Sequence, residues 1–140
     1  MGKLQYYQGL VEGTVPHPPI AEFIGFKVVL AEEGRIVIEM ECVREMLNSV
    51  GAVQGGMIAT IADASMGMAA VTLLDDEHTA ATAELKINFL RPPGLKRLRS
   101  TGTIVHRGRK LMMGEAEVVN EEGKLVAKAT STIMVLDEEK

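Results

Sequence analysis

Cysteine and aromatic residues are scarce in this 140-residue sequence, which contains one Cys, no Trp and 4% aromatic residues. One cysteine excludes a disulfide framework within the chain and a cysteine-based zinc cluster. The three His are scattered and lack the spacing of metal ligands. Two Tyr and three Phe offer no stacking platform for nucleic acid. We therefore expect no metal site and no nucleic-acid partner.

The remaining composition is that of a globular domain, with 46% hydrophobic and 24% charged residues. A chain of this length has room for one substantial core, which must consist of Met, Ile, Leu, Val and Ala. We predict a single domain over residues 1–140, with a peripheral N-terminal segment at 1–19. The first residues do not form a basic segment followed by an apolar one, so we expect a cytoplasmic protein with no membrane partner.

Charge is distributed unevenly along the chain. Residues 85–114 hold eight Lys and Arg and no Asp or Glu, although the formal net charge of the whole chain is −4. A basic segment in an acidic protein indicates a local anionic partner. The alternative interpretation is a pair of strands whose charges are simply solvated, and composition does not choose between the two.

Hydrophobic periodicity predicts an α+β fold. The predicted elements are, in chain order, a short helix near 20–24, strands at 26–31 and 36–42, a long helix at about 55–73, and strands near 85–89, 96–107, 111–119 and 125–136. One antiparallel sheet of five to six strands wrapped around one long central helix would cover every apolar face.

The long helix contains Asp63, the only ionisable residue between Ser49 and Leu74. An acid among apolar residues needs a partner or a function. We expect the sheet to pack on the bulkier stripe of this helix, which consists of Met57, Ile61, Ala64, Met68 and Val71. A second stripe of small residues would let another backbone or a slender ligand approach the acid, and it consists of Gly56, Ala59, Asp63, Gly67 and Ala70.

Two candidate catalytic groups lie on or beside this helix. Asp63 is either a structural acid or a base or nucleophile, since burial would raise its pKa toward neutrality. The segment from Asn48 to Gly56 precedes the helix, and Gly55-Gly56 would let a ligand approach the backbone. The free N–H groups of a first helical turn suit a carbonyl oxygen that develops negative charge. An ordinary glycine-containing helix start is the alternative.

The spacing of these two groups has a consequence for assembly. Gly55 and Asp63 lie about 12 Å apart along one helix, whereas catalysis requires both within about 3 Å of the reacting atoms. One chain cannot bring its own Gly55 amide and its own Asp63 to the same carbonyl. Two helices packed antiparallel through the small stripe can, so cooperation between them would require a dimer with shared sites.

The pattern Asn48-x6-Gly55-Gly56-x6-Asp63, with Ala59, Ala62 and Gly67 around it, resembles the signature of hot dog fold acyl-CoA thioesterases. The similarity is greatest to the phenylacetic-acid-degradation (PaaI-like) group and extends from about Ile20 to Leu136. It implies hydrolysis of a thioester to a carboxylic acid and free CoA, with no cofactor beyond the CoA of the substrate. It also implies self-association as a homodimer or a dimer of dimers.

The resemblance also implies roles for individual residues. The Gly55 amide would polarise the thioester carbonyl with help from the Asn48 side chain, and Asp63 of the partner subunit would attack it or activate water. Thr82 matches a hydroxyl position that orients water. Gln54 stands where the family usually has His, and it cannot titrate near neutral pH. Candidate contacts to the substrate are Gln54, Gly56 and, for the phosphates of CoA, Arg91, Arg107, Arg109 and Lys110.

Two other functions remain open from the sequence. Gln54 in place of His would also fit an acyl-CoA or ligand-binding protein that has lost its activity. A hydratase or dehydratase uses the same fold, but such enzymes pair an Asp with a nearby His, and no His lies beside this helix. Residue types alone do not determine the acyl group, nor whether Asp63 acts as nucleophile or general base.

Overall fold

A six-stranded antiparallel sheet curves around one long helix in the computed structural model, which describes residues 1–139. In chain order, the helices and strands are α1 (Lys3–Glu12), α2 (Pro19–Ile24), β1 (Phe26–Glu32), β2 (Arg35–Glu41), α3 (Gly55–Val71), β3 (His78–Phe89), β4 (Arg97–Arg107), β5 (Leu111–Val119) and β6 (Leu125–Asp137). The strand order in the sheet is β1-β2-β4-β5-β6-β3. The predicted α+β architecture is therefore confirmed.

Most predicted boundaries agree with the structure because turn residues mark them. Gly34 closes the β1–β2 hairpin with a φ of +71°, a backbone conformation that glycine adopts without strain. Strand β3 is the main difference, since it begins at His78 rather than near Leu85. The residues between them are Thr- and Ala-rich and lack the strong alternation that identified the rest of the strand.

The face of α3 that packs on the sheet differs from the predicted one. The buried side chains of α3 are Ile58, Ile61, Ala62, Ser65, Met66, Ala69 and Ala70, whereas Met57, Met68 and Val71 of the predicted bulky stripe are only half-buried. The reason is the close approach of β4 to the helix. A Cβ at Gly102 would overlap the backbone of Ser65 and lie 2.5 Å from the nitrogen of Met66. Glycine at 102 therefore lets the backbone of α3 approach β4 at Ser65 and Met66, and this contact turns the face that carries these residues toward the sheet.

The N-terminal segment contains a helix that the sequence pattern did not predict. Leu10 of α1 is only 2% exposed and belongs to the hydrophobic core. Lys3 near the other end of α1 forms an ion pair with Glu138, with 3.0 Å between the Lys3 Nζ and Glu138 Oε2 atoms. Helix α1 thus spans from the body of the domain to the segment that follows β6. Half of the ten residues of α1 are apolar, but Gln and Gly residues interrupt them and weaken the helical pattern.

The two edge strands of the sheet are β1 and β3. Strand β3 is 12 residues long and pairs with β6 on one side only. The backbone groups along its other side are free to pair with another strand. In the described range 1–139, no helix has the length and hydropathy required to cross a membrane.

Candidate active site

Asp63 lies half-buried on α3, on the flank of the helix that faces β3. The Thr82 hydroxyl donates a hydrogen bond to its Oδ1 atom over 2.7 Å. A β-bulge between Thr82 and Glu84 interrupts the pairing of β3 with β6 at this point, and bulges commonly redirect side chains near functional sites. The structure therefore brings together two residues that lie 19 positions apart in sequence and that were both predicted site residues.

Asn48 organises the loop before α3. Its Oδ1 atom accepts hydrogen bonds from the backbone N–H groups of Val50 (3.0 Å) and Ala52 (3.1 Å). Gly51 occupies the left-handed region with a φ of +79° and completes the turn. The amide oxygen of Asn48 therefore caps this loop. The Nδ2 group of the same side chain is not used in this turn and can donate a hydrogen bond to a ligand.

The start of α3 has donors without partners. Gln54 is the N-cap residue, and its side chain makes no capping hydrogen bond. The backbone N–H of Gly55 belongs to the first helical turn, which has no intrahelical acceptor, and no hydrogen bond from it forms within residues 1–139. A Cβ at Gly55 would lie 3.0 Å from the Phe89 ring, whereas one at Gly56 would meet open space. Backbone N–H groups with the helix dipole behind them favour an anionic or polarised oxygen.

A groove of about 400 Å³ opens beside Gly55. It is lined by Val53, Gly55 and Ile58 on one side and by the segment from Phe89 to Pro93 on the other. Arg91 supplies the only charged side chain of this lining. The contact between Phe89 and Gly55 was not among the sequence predictions. That contact joins residues 34 positions apart in the numbering, and the alternation of β3 contains no signal for it.

The other three candidate cations lie at the opposite end of α3. Arg107 donates a hydrogen bond to the Leu73 carbonyl over 2.5 Å, just beyond the end of the helix. Arg109 and Lys110 are exposed in the adjoining β4–β5 turn. Because α3 has 17 residues, its ends lie about 25 Å apart. One protomer therefore does not bring these three residues together with Arg91.

The histidines and the cysteine lie outside this region. His17 accepts a hydrogen bond from the Val28 N–H through Nε2 over 3.1 Å. His78 is hydrogen-bonded to Asp75 over 2.6 Å, and this bond raises the pKa of His78. Cys42 is buried in the hydrophobic core, and burial raises the pKa of its thiol to about 11. None of these groups contacts Asp63 or Gly55 in the described part of the chain.

A curved antiparallel sheet around a helix, with an acid on that helix and free amides at its start, defines the class of hot dog fold thioesterases. The family model of the thioesterase superfamily matches residues 50–127, more than half of the sequence. The chain belongs to the thioesterase superfamily, which confirms the predicted enzyme class, a hydrolase acting on thioester bonds.

Individual relatives agree with this assignment. A Saccharolobus solfataricus protein with a provisional esterase name is 34% identical, over 84% of this chain and 83% of the relative. The acyl-coenzyme A thioesterase PaaI of Escherichia coli is 29% identical, over 76% of this chain and 75% of its own. The solved structure of the E. coli PaaI protein from the phenylacetic acid degradation operon superposes with a TM-score of 0.84, covering 95% of both chains at 22% identity. The predicted similarity to the PaaI-like group is thereby confirmed.

Proposed function

We propose that this protein hydrolyses acyl-CoA thioesters to a carboxylic acid and free CoA. The observation that carries the proposal is the carboxylate of Asp63, held by the Thr82 hydroxyl at 2.7 Å on the flank of an otherwise apolar helix. The unpartnered Gly55 N–H at the start of the same helix supplies the second group that thioester cleavage requires, a donor to the carbonyl oxygen. A relative that is named as an acyl-CoA thioesterase supports the choice of substrate.

The chemistry follows from the acceptor and donor atoms. In one route, an Asp63 oxygen attacks the thioester carbon, the C–S bond breaks, CoA leaves as a thiolate that takes a proton, and water hydrolyses the mixed anhydride. In the other, Asp63 accepts a proton from water while the water oxygen attacks the same carbon; the C–S bond then breaks, and the thiolate of CoA leaves and takes up that proton. In both routes the Gly55 N–H stabilises the developing oxyanion. The Thr82 hydroxyl donates a hydrogen bond to Asp63, so its oxygen is free to accept a hydrogen bond from water.

The site is shared between two protomers in this proposal. Pairing Gly55 of one α3 with Asp63 of an antiparallel partner helix places Ala59 of both chains at the two-fold axis. Ala59 is small, and a Cβ built at Gly56 or Gly67 meets nothing within 4 Å, so two helices can approach closely along this face. The free edge of β3 lies on the same side of the protomer as Asp63. A continuous sheet through paired β3 strands would accompany the helix contact.

The same register explains the separation of the basic residues. With Gly55 opposite Asp63 of the partner, the partner's Leu73 lies about 15 Å beyond Gly55 along the helix axis. The partner's Arg107, which is bonded to that carbonyl, then approaches the same side of the dimer as Arg91. We propose that Arg91 together with the partner's Arg107, Arg109 and Lys110 contacts the phosphates of CoA. Gln54 and Gly56 line the path of the pantetheine arm.

The first test is the substitution Asp63→Asn, which keeps the shape of the side chain and removes its charge. Loss of a group that accepts a proton lowers the rate by about 100-fold or more. The hydrolysis rates of the wild type and the variant are measured as release of free thiol from acyl-CoAs. The matched control is Asp137→Asn, because that carboxylate is 99% exposed and should leave the rate unchanged. Wild-type activity of Asp63→Asn would refute the proposed chemistry.

A second test addresses the sharing of the site. Asp63→Asn protomers and Gly55→Pro protomers are each expected to be inactive as homodimers. When they are mixed, unfolded and refolded together, hybrid dimers contain one site with both an intact Gly55 N–H and an intact Asp63. About a quarter of wild-type activity should then return, as expected for random pairing in a two-fold dimer. If a mixture that contains hybrid dimers recovers no activity, the Gly55 N–H and the Asp63 carboxylate of each site must belong to one chain.

A further inference from the structure

The edge strand β3 carries two opposite charges that have no counter-charge in their own protomer. Glu84 and Lys86 are exposed and two positions apart, so their side chains lie on the same face of the strand. The residues opposite them on β6 are Thr132 and Thr130, which are uncharged. Within the described part of the chain, neither charge forms an ion pair, and the Lys86 Nζ atom donates a hydrogen bond to the Asn88 side chain over 3.0 Å. A counter-charge for both can reach them from the free edge of the strand.

The position of a two-fold axis on β3 follows from two contacts between this strand and α3. Gly55 lies against the Phe89 ring at the end of β3, and Asp63 accepts the hydrogen bond from Thr82 nearer its start. The proposed pairing of Gly55 with Asp63 of the partner places the axis midway between these two residues on α3. The same axis then passes midway between Thr82 and Phe89 on β3, because each contact must face the other contact of the partner.

Antiparallel pairing permits only two registers close to this midpoint. Hydrogen-bonded and non-hydrogen-bonded residue pairs alternate along an antiparallel ladder, so a two-fold axis between two identical strands must pass between a residue and its own copy. The two residues beside the midpoint are Leu85 and Lys86. With Lys86 on the axis, two ammonium groups face each other, which is unfavourable. With Leu85 on the axis, Glu84 of each strand faces Lys86 of the other, and every charge is paired.

We propose that β3 pairs with β3 of a second copy in the register centred on Leu85, and that the two Glu84–Lys86 pairs across the edge fix this register. The proposal rests on the proposed function, because it supplies the alignment that the shared site requires. Moving the centre to Lys86 shifts the partner strand by two residues, or about 7 Å. The Gly55 N–H and the Asp63 carboxylate must both lie within about 3 Å of the reacting atoms. Glu84 and Lys86 are therefore positioning residues, which align the site without contacting the substrate.

Cysteine cross-linking measures the register directly. A disulfide requires Cα atoms about 4.4–6.8 Å apart, and residues directly opposite each other lie about 4.5–5.5 Å apart. When Glu84→Cys and Lys86→Cys protomers are unfolded and refolded together, we expect covalent dimers on mild oxidation. Neither variant alone should form them, because the two copies of each position are then diagonal neighbours roughly 8 Å apart. The wild type is the control, since its single cysteine, Cys42, is buried.

Charge reversal tests whether the two pairs fix the register. Glu84→Lys turns two attractive contacts into two repulsive ones, so it should weaken dimerisation and lower kcat/KM by about tenfold. The double variant Glu84→Lys/Lys86→Glu restores both pairs with the charges exchanged, and it should return to within about twofold of the wild type. Glu117→Lys is the matched control, because Glu117 is an exposed residue of β5 that pairs with Lys128 away from the edge. Analytical ultracentrifugation measures dimerisation, and thiol release measures activity.

The possible outcomes separate this proposal from the function on which it rests. A cross-link in the mixture alone supports the register even if the protein cleaves no acyl-CoA, a result that refutes only the thioesterase function. A disulfide in Lys86→Cys alone or in Glu84→Cys alone overturns the register, and so does a dimeric mixture that does not cross-link. A wild type that is monomeric overturns it as well. A double variant that is as impaired as Glu84→Lys shows that these charges do not fix the register.

Discussion

Replacing Gly55 by proline removes the backbone N–H from the proposed oxyanion site, at a position whose backbone accommodates proline. Proline has no backbone N–H, and it is well tolerated at the first position of a helix, where the N–H has no intrahelical acceptor. A residue that precedes proline must have an extended backbone, and Gln54 already does, with φ −58° and ψ 130°. Gly55 is the first residue of α3, so Gly55→Pro should fold normally.

The magnitude follows from the single donor that is lost. Removal of one oxyanion donor lowers kcat by about 10²–10³-fold, or roughly 3–4 kcal/mol of transition-state stabilisation. Any side chain at this position also meets the Phe89 ring, since a Cβ lies 3.0 Å from the nearest ring atom. Gly55→Ala has the same Cβ and retains the N–H, so it isolates the steric effect.

Steady-state hydrolysis of one acyl-CoA by the wild type and both variants tests this reasoning. We expect Gly55→Ala to stay within several-fold of the wild type and Gly55→Pro to lose at least about a hundredfold in kcat. Equal losses in the two variants would assign the effect to Phe89 rather than to the N–H. Full activity of Gly55→Pro, with unchanged thermal stability, would show that the Gly55 amide does not stabilise the transition state.

Two further predictions concern stability. Gly102→Ala places a methyl group against the backbone of Ser65 and Met66, so it should lower the free energy of unfolding by about 1–3 kcal/mol or more; an unchanged urea midpoint would contradict the close packing of β4 on α3. The bond to Asp75 raises the pKa of His78 above its ordinary value of 6.5 and lowers the pKa of Asp75 below 3.8. The stabilisation from His78 is complete below pH 6.5 and disappears as the pH rises through the raised pKa, whereas that from Asp75 is complete above pH 3.8. His78→Ala should therefore reduce thermal stability more at pH 5 than at pH 9, and an equal reduction at both values would exclude the charged pair.

The sequence predicted the fold well because its signals are local. Gly34 and the turns at 107–110 and 120–123 mark strand ends by their own backbone preferences. Apart from Asp63, no residue of α3 is charged and most are apolar, and this pattern predicts a buried central helix whichever face packs on the sheet. Helix α1 was missed although half of its residues are apolar, because its burial depends on contacts with β1 and the core that its own sequence does not reveal.

The candidate site was predictable in part. Asp63 and Gly55 stand out in the sequence because an acid and a glycine pair are unusual in such an apolar segment. The bond from Thr82 to Asp63 was not derivable from spacing, since it depends on how β3 lies beside α3 and on a bulge within β3. The division of the basic residues between the two ends of α3 likewise depends on the path of the sheet.

Amino-acid order by itself determined most of the strands, the central helix with its single acid and the distance between that acid and the helix start. Each of these depends on backbone geometry within one segment. Only the tertiary structure decided which face of α3 the sheet covers. That face is set by the contact of Gly102 with the helix backbone, a steric fact between strands and helix that are distant in sequence. A cavity lined by Tyr6 and Tyr7 likewise exists only because α1, α3 and β3 converge in the folded chain.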